Sequence, residues 1–314
     1  TWATVGFLFA RDRDELRACF PSLLPTYSDS RLSPYEEHVG WDEEDDPIHY
    51  APSLIERVRE TPGQEIATHT FSHYYCLEAG QTLDQFAADL KSAAEIAQNR
   101  GIVYRSIVFP RNQCRPEYLE VVRKSGIECY RGTEASWMHH AAPGREKNSL
   151  WRKAARLADT YIPISGDNTT QWSGTSDPSG LVNIPSSGYL RPWTPATSPM
   201  EAIRMRRILG AMRLAAEKGR IFHIYWHPQD FGFFPNENLQ VLRTILEAYR
   251  ELREEFDFVS MNMASAMDYA RASEQISGSL AFVRRGAASL PVALPLYVSQ
   301  FQVPVAETLG LLGL

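Results

Sequence analysis

Apolar residues along this chain fall into two alternating patterns. Short, nearly continuous apolar runs read as buried strands at 3–9 (ATVGFLF), 64–68, 104–109 and 127–130. Further runs lie at 181–184, 220–226 (RIFHIYW) and 258–261. Between them, apolar residues recur with helical spacing, most clearly over 82–100, where positions 83, 86, 87, 90, 94 and 97 share one face. Thr82 is placed to cap that helix and Gly101 to stop it. Helices are likewise expected over 11–20, 52–60, 116–124, 149–158, 199–218 and 236–256, with Pro62-Gly63 and Gly126 as stops and Ser198 as a cap. Strand followed by helix, repeated at the length of one βα unit, predicts an α/β fold of parallel strands joined by crossover helices.

Two segments depart from this alternation. Residues 21–50 form a long, proline-punctuated connection centred on the acidic run Trp41-Asp42-Glu43-Glu44-Asp45-Asp46. A charge run of this kind reads as a solvated loop; the alternative is a rim that excludes anions or touches a cationic amino sugar. From Ser273 onward the chain is apolar, without sustained period, and broken by Pro291, Pro295 and Pro304. No internal repeat or linker divides the rest, so 1–270 is read as one catalytic domain and 271–314 as a tail with no assigned fold or role.

Bulk properties narrow the function. A net charge of −6 argues against nucleic acid or an anionic membrane as partner, since both select basic surfaces. No apolar run is long enough for a transmembrane helix. The cysteines Cys19, Cys76, Cys114 and Cys129 form no C-x-x-C pair and read as free thiols; Cys76 as a further metal ligand is the disfavoured alternative. No charged, apolar leader opens the chain, which leaves the compartment open with a lean toward the cytoplasm. Oligomeric state is not legible.

The chemistry collects at predicted strand ends, where parallel α/β folds bind ligands. His69-Thr70-Phe71-Ser72-His73 follows the 64–68 strand, and two imidazoles four residues apart at such a turn can converge on one cation. Threonine at position 70 rules out the helical zinc-protease motif, which needs glutamate there as base. With 8 His in 314 residues, random placement gives roughly 0.2 pairs at this spacing, and the chain has two, the second being His223 and His227. Arg111, Asn112 and Gln113 follow another strand, and Gln229 and Asp230 follow His227. Alternation puts His223, Tyr225 and His227 on one face, with His227 at the mouth. For His223 a hydrogen-bonded core histidine is the favoured reading. Trp137 and Trp226 are candidate sugar-stacking platforms, though Trp226 alternates away from His227 and reads better as core.

These motifs resemble the polysaccharide deacetylases, the NodB-homology family of carbohydrate esterases. His69-Thr70-Phe71-Ser72-His73 matches the family's H-[ST]-x-x-H, in which both histidines bind metal. His227 in Ile224-Tyr225-Trp226-His227-Pro228 matches the strand-end histidine of its last motif, and Ala3-Thr4-Val5-Gly6-Phe7-Leu8 is similar to its second strand. The resemblance covers roughly residues 1–270. It implies a distorted (β/α)7-type barrel whose first βα unit is missing from this chain. The family's Asp-Asp pair, which supplies a base and the third ligand, has no counterpart here, and Asp12 and Asp14 do not match it. The family's arginine precedes the proline of its third motif, whereas Arg111 follows Pro110. Gly132 to Trp137 is at most an altered form of D-x-x-D-W.

The resemblance further implies a metal-dependent hydrolase removing N-acetyl or O-acetyl groups from a carbohydrate. A divalent metal would sit on His69 and His73, zinc by default, with cobalt, nickel or iron fitting the same ligands. His227 is the expected general acid. Arg111 either orients a carboxylate or binds substrate, and Asn112, Trp137 and Asp230 are the expected substrate contacts. A carbohydrate-binding pseudoenzyme and an amide hydrolase acting on a non-sugar substrate are the alternatives. Two histidines alone make an incomplete catalytic zinc site, so weak metal binding and little turnover are expected of this chain by itself.

Overall fold

The computed structural model describes residues 1–143 and 149–286. Five strands form a parallel sheet in sequential order: β1 (Trp2–Thr4), β2 (Ile66–Thr68), β3 (Ser106–Ile107), β4 (Cys129–Tyr130) and β5 (Val182–Asn183). Trp2 pairs with Ile66, Thr68 with Ile107, Ile107 with Tyr130, and Tyr130 with Asn183. A second parallel pair joins β6 (Gly188–Tyr189) to β7 (Ile224–Tyr225). One extended stretch serves both sheets: Ile184 donates to Tyr130 O at 2.9 Å, and a few residues on Leu190 donates to Tyr225 O at 2.8 Å. Among the described residues β1 pairs only with β2 and β7 only with β6, so the sheet is open.

The helices are α1 (Arg13–Ala18), α2 (Pro52–Glu60), α3 (Leu83–Gln98), α4 (Pro116–Lys124), α5 (Leu150–Tyr161), α6 (Glu201–Glu217), α7 (Pro228–Phe231), α8 (Pro235–Phe256) and α9 (Met263–Gly286). Their starts follow local chemistry. Thr82 accepts the Gln85 amide while the Gln85 side chain returns to the Thr82 amide, a complete capping box for α3. Pro52 and Pro116 open α2 and α4 where the missing N–H costs nothing. The largest apolar core lies between the five-stranded sheet and α1 to α4, with Phe71, Tyr74, Phe86, Ile96 and Ile107 fully buried. A separate core joins α6, α8 and β7.

Four expectations need revision. The 3–9 run is strand only to Thr4; Gly6–Phe9 is a 3-10 turn whose first amides bond to Thr70 O at 2.9 Å and Phe71 O at 3.3 Å. Residues 258–261 form no strand: Val259 is 55% exposed, and the segment is a connection into α9. The strand β6 went unanticipated, because two residues in a Ser/Gly/Pro-rich stretch show no alternation. Finally, α9 runs through the expected boundary at 270. Arg105 bonds Asp268 at 2.8 Å and Arg271 bonds Glu128, holding this helix against β3 and β4. Pro291, Pro295 and Pro304 lie outside the described residues.

The acidic 21–50 connection is built from its own carboxylates. Asp42 accepts the Glu44 and Asp45 amides, Asp46 accepts the Gly40 amide, and Glu43 receives Ser53. Asp12 caps α1 through the Glu15 amide at 2.8 Å. All four cysteines are free, and Cys76 is buried in the main core.

Candidate metal and substrate site

The loop leaving β2 is held by a set of bonds that leave it little freedom. Thr70 has φ 68 and His73 φ 58, a left-handed conformation that is a true outlier for a β-branched residue. The Thr70 hydroxyl compensates by accepting the Tyr74 amide at 2.7 Å, and the Thr70 amide donates to Thr68 Oγ1 at 3.0 Å. The motif's hydroxyl residue thus closes the turn. From below, Asp89 on α3 accepts the Phe71 amide at 2.7 Å, the Ser72 amide at 3.2 Å and the Ser72 hydroxyl. From behind, Gly6 approaches so closely that a Cβ there would sit 2.4 Å from the Phe71 ring.

The consequence is a fixed imidazole pair. His69 and His73 have ring centroids 4.8 Å apart. His69 Nδ1 lies 2.6 Å from Val108 O, which assigns the proton to Nδ1 and leaves the Nε2 lone pair for a ligand. Burial, then the neighbouring His73, holds the His69 pKa well below its usual value, with Arg131 and His227 adding to the effect. Burial, then Arg111 and His227, lowers that of His73 to about 4. Both rings are therefore neutral near pH 7, the form that binds metal. Among the described residues no group of three or more His, Cys, Asp or Glu is arranged to hold a metal. The donor set present fits two positions of a zinc-type site.

Next to this pair, the loop after β3 carries a second cluster of strain, Arg111 at φ 53 and Asn112 at φ 55. Four of the six non-glycine residues with positive φ among those described thus belong to these two loops, the kind of site where stored strain accompanies function. The loops are latched together. Gln113 accepts the Leu77 amide at 3.0 Å and donates to Glu78 at 2.8 Å, while Arg111 lies 3.5 Å from Glu78 and 4.0 Å over the Tyr75 ring. Asn112 accepts from Arg131, the residue directly after β4, at 2.8 Å, and Arg131 lies 3.9 Å over Tyr225.

His227 ends the β7 stretch. Its Nδ1 lies 3.3 Å from Asp230, which also receives the Tyr189 hydroxyl, and the Tyr189 and His227 rings are 5.4 Å apart. The charge of His227 contributes to the lowering of both the His69 and His73 pKa values. His223 points to Ile184 O at 3.1 Å, and burial, then Arg131, lowers its pKa to about 3. It is a hydrogen-bonded interior histidine. Trp226 stacks on Phe231 within the α6–α8 core. Trp137 is 55% exposed, and Glu134 of the same segment is buried beside His139 at 3.7 Å.

Two residues of the site are absent from the sequence-based expectations. Asp89 sits on the buried face of α3 beside Phe86, Leu90 and Ala93, and an acid interrupting an apolar stripe was the available signal. Burial raises its pKa to about 6 against the hydrogen bonds from Ser72 and the Phe71 amide. Arg131 offered no local signal, since its partners come from β3 and β7. Comparison with protein-family models, with curated proteins and with solved structures finds no match for this chain.

Proposed function

We propose that this chain is a metal-dependent hydrolase that removes acetyl groups from an acylated carbohydrate. The observation that carries this reading is the His69–His73 pair, neutral, anchored through Nδ1 and held in a strained loop at a strand end. The sequential parallel order of β1 to β5, with a second parallel pair in β6 and β7, supports a distorted (β/α) barrel as the type of fold.

His69 and His73 would hold the ion. A bound divalent metal supplies an activated water and polarises the scissile carbonyl. The chain's own residues contribute the rest. Amide cleavage needs a proton on the departing nitrogen, and His227, with Asp230 on Nδ1, presents Nε2 as the donor. Tyr189 fixes Asp230 and so the tilt of that ring. Arg111 and Asn112 line the same mouth from the β3 side, and the exposed Trp137 offers a face on which a sugar ring can stack.

Elemental analysis of the purified chain after zinc, cobalt, nickel or iron loading tests the ligand assignment. His69→Ala should lose bound metal, and metal content equal to that of the unsubstituted chain would overturn it. Acetate release from N-acetylated and O-acetylated oligosaccharides tests the reaction. Sugar binding without release under any metal would favour a carbohydrate-binding protein of this fold, and release from non-sugar amides alone would remove the carbohydrate assignment.

A further inference from the structure

The acids and bases around the mouth are not balanced. Although the whole chain is anionic, with net charge −6, β4 and β6 each deliver an arginine at their carboxyl ends, Arg131 and Arg191. Arg131 lies 3.9 Å over Tyr225, and Arg191 lies 6.0 Å over Tyr189, whose ring is 5.3 Å from that of Tyr225. Among the described residues each guanidinium donates one hydrogen bond to a neutral group: Arg131 to Asn112 at 2.8 Å and Arg191 to Thr160 at 2.8 Å. Arg131 Nε is buried without a partner. Burial lowers the Arg131 pKa, with Tyr225 and Glu134 acting against it at a distance, but none of the nearby acids forms an ion pair with Arg131 or Arg191 among the described residues. Glu134 pairs with His139, Asp159 with Arg207 at 3.1 Å, and Asp230 with His227.

A partly buried arginine without a carboxylate normally carries an anion when the site is filled, because the desolvated charge is otherwise uncompensated. The planar fork suits an oxyanion in particular, and convergent like charges raise its local concentration. From this juxtaposition, and resting on the hydrolase reading above, we infer that the substrate is an acylated sugar bearing an anionic group, a carboxylate or a phosphate ester. Arg131 and Arg191 bind it beside the Tyr189–Tyr225 platform. The mutual influence of Arg191, Arg152 and Arg156, which with burial lowers the Arg156 pKa, marks the same region as cation-rich.

The test is calorimetric binding of three probes to the full chain: N-acetylglucosamine, its 1-phosphate and its C6 uronic acid. An anionic probe should bind at least about tenfold tighter than the neutral sugar, with the preference shrinking at high salt. The phosphate and carboxylate arms separate the two sources of charge. Arg131→Gln and Arg191→Gln should each reduce the preference, read as the ratio of anionic to neutral affinity in the same variant, by about tenfold. Arg131→Lys, which keeps the charge but not the planar fork stacked on Tyr225, should retain part of it. Equal binding of all three probes, no binding of any, or a preference intact in both Gln variants overturns the inference. Acetate release from the neutral sugar alongside equal binding would sink this inference and keep the hydrolase reading. An arginine-dependent preference without any acetate release would do the reverse.

Discussion

Two strand ends carry the histidines of this site, and they are built on opposite plans. The loop after β2 is determined from every side: a hydroxyl closes it, Asp89 pins it from α3, and Gly6 admits it against β1. The end after β7 is open. His227 is 55% exposed and is followed by α7, a helix of only four residues, with a single acid to orient the ring. A metal ligand must hold one direction, and fixing it in advance removes an entropy cost from binding. A proton donor must instead reach solvent and return. The β2 loop suits the first task and the β7 end the second.

Substitution of the histidines themselves should expose the difference most sharply. His227→Ala is expected to lower acetate release by about 10²–10⁴-fold while metal content and urea midpoint stay within error of the unsubstituted chain. His73→Ala should abolish metal uptake. If His227→Ala lost metal as well, the division of labour between the two ends would be wrong. Asp89→Ala comes next. It strands two amides and a hydroxyl in the core, so a loss of about 3 kcal/mol in denaturant unfolding is expected, accompanied by weaker metal binding. An Asp89→Ala variant as stable as the parent would show that the loop holds without its pin.

The pH dependence of stability sharpens the same contrast at smaller magnitude. His73 titrates at about 4 and His223 at about 3 when folded, against about 6.5 unfolded. Their neutral forms favour folding, so stability is present above pH 6.5 and is lost as pH falls through that value toward 4, by up to about 1.4 kcal/mol per pH unit for each ring. Asp89 runs the other way. With a folded value of about 6, it favours folding when protonated, and its contribution appears as pH falls from 6 toward 4. Urea midpoints at pH 7.5 and 5.0 should therefore show a net acid loss, shallower in His73→Gln. An unchanged midpoint would mean that these rings are hydrated. Smallest of all, Thr82→Ala should cost about 1 kcal/mol through the α3 cap, with metal content unaffected because the Thr82 hydroxyl accepts the Gln85 amide and no atom of the histidine loop.

What the sequence disclosed followed the range of the interactions. The period of α3, its Thr82 cap and the proline starts of α2 and α4 are local, and the bounds of these three helices were readable to within a few residues, whereas α9 was not anticipated. The His69–His73 spacing was local too. Strand extents were not, because a run such as 3–9 is strand only while a neighbour pairs with it, and beyond Thr4 its amides turn to the histidine loop. Residues 258–261 have strand composition but no partner. Arg131 meets Asn112 and Tyr225 only after three strands are aligned, which nothing near position 131 announces. Asp89 was within reach, as an acid on the wrong side of a helix.

The Thr70 hydroxyl and Asp89 change how such a site should be sought. Spacing alone does not make two histidines converge. Here the residues that make the pair converge are not ligands: a hydroxyl directly after the first histidine, a serine directly before the second, and an acid 17 positions beyond that serine on the next helix. A pattern that included these three would select for the shape of the loop as well as for its chemistry, and would reject pairs that share the letters but lack the means to fold them together.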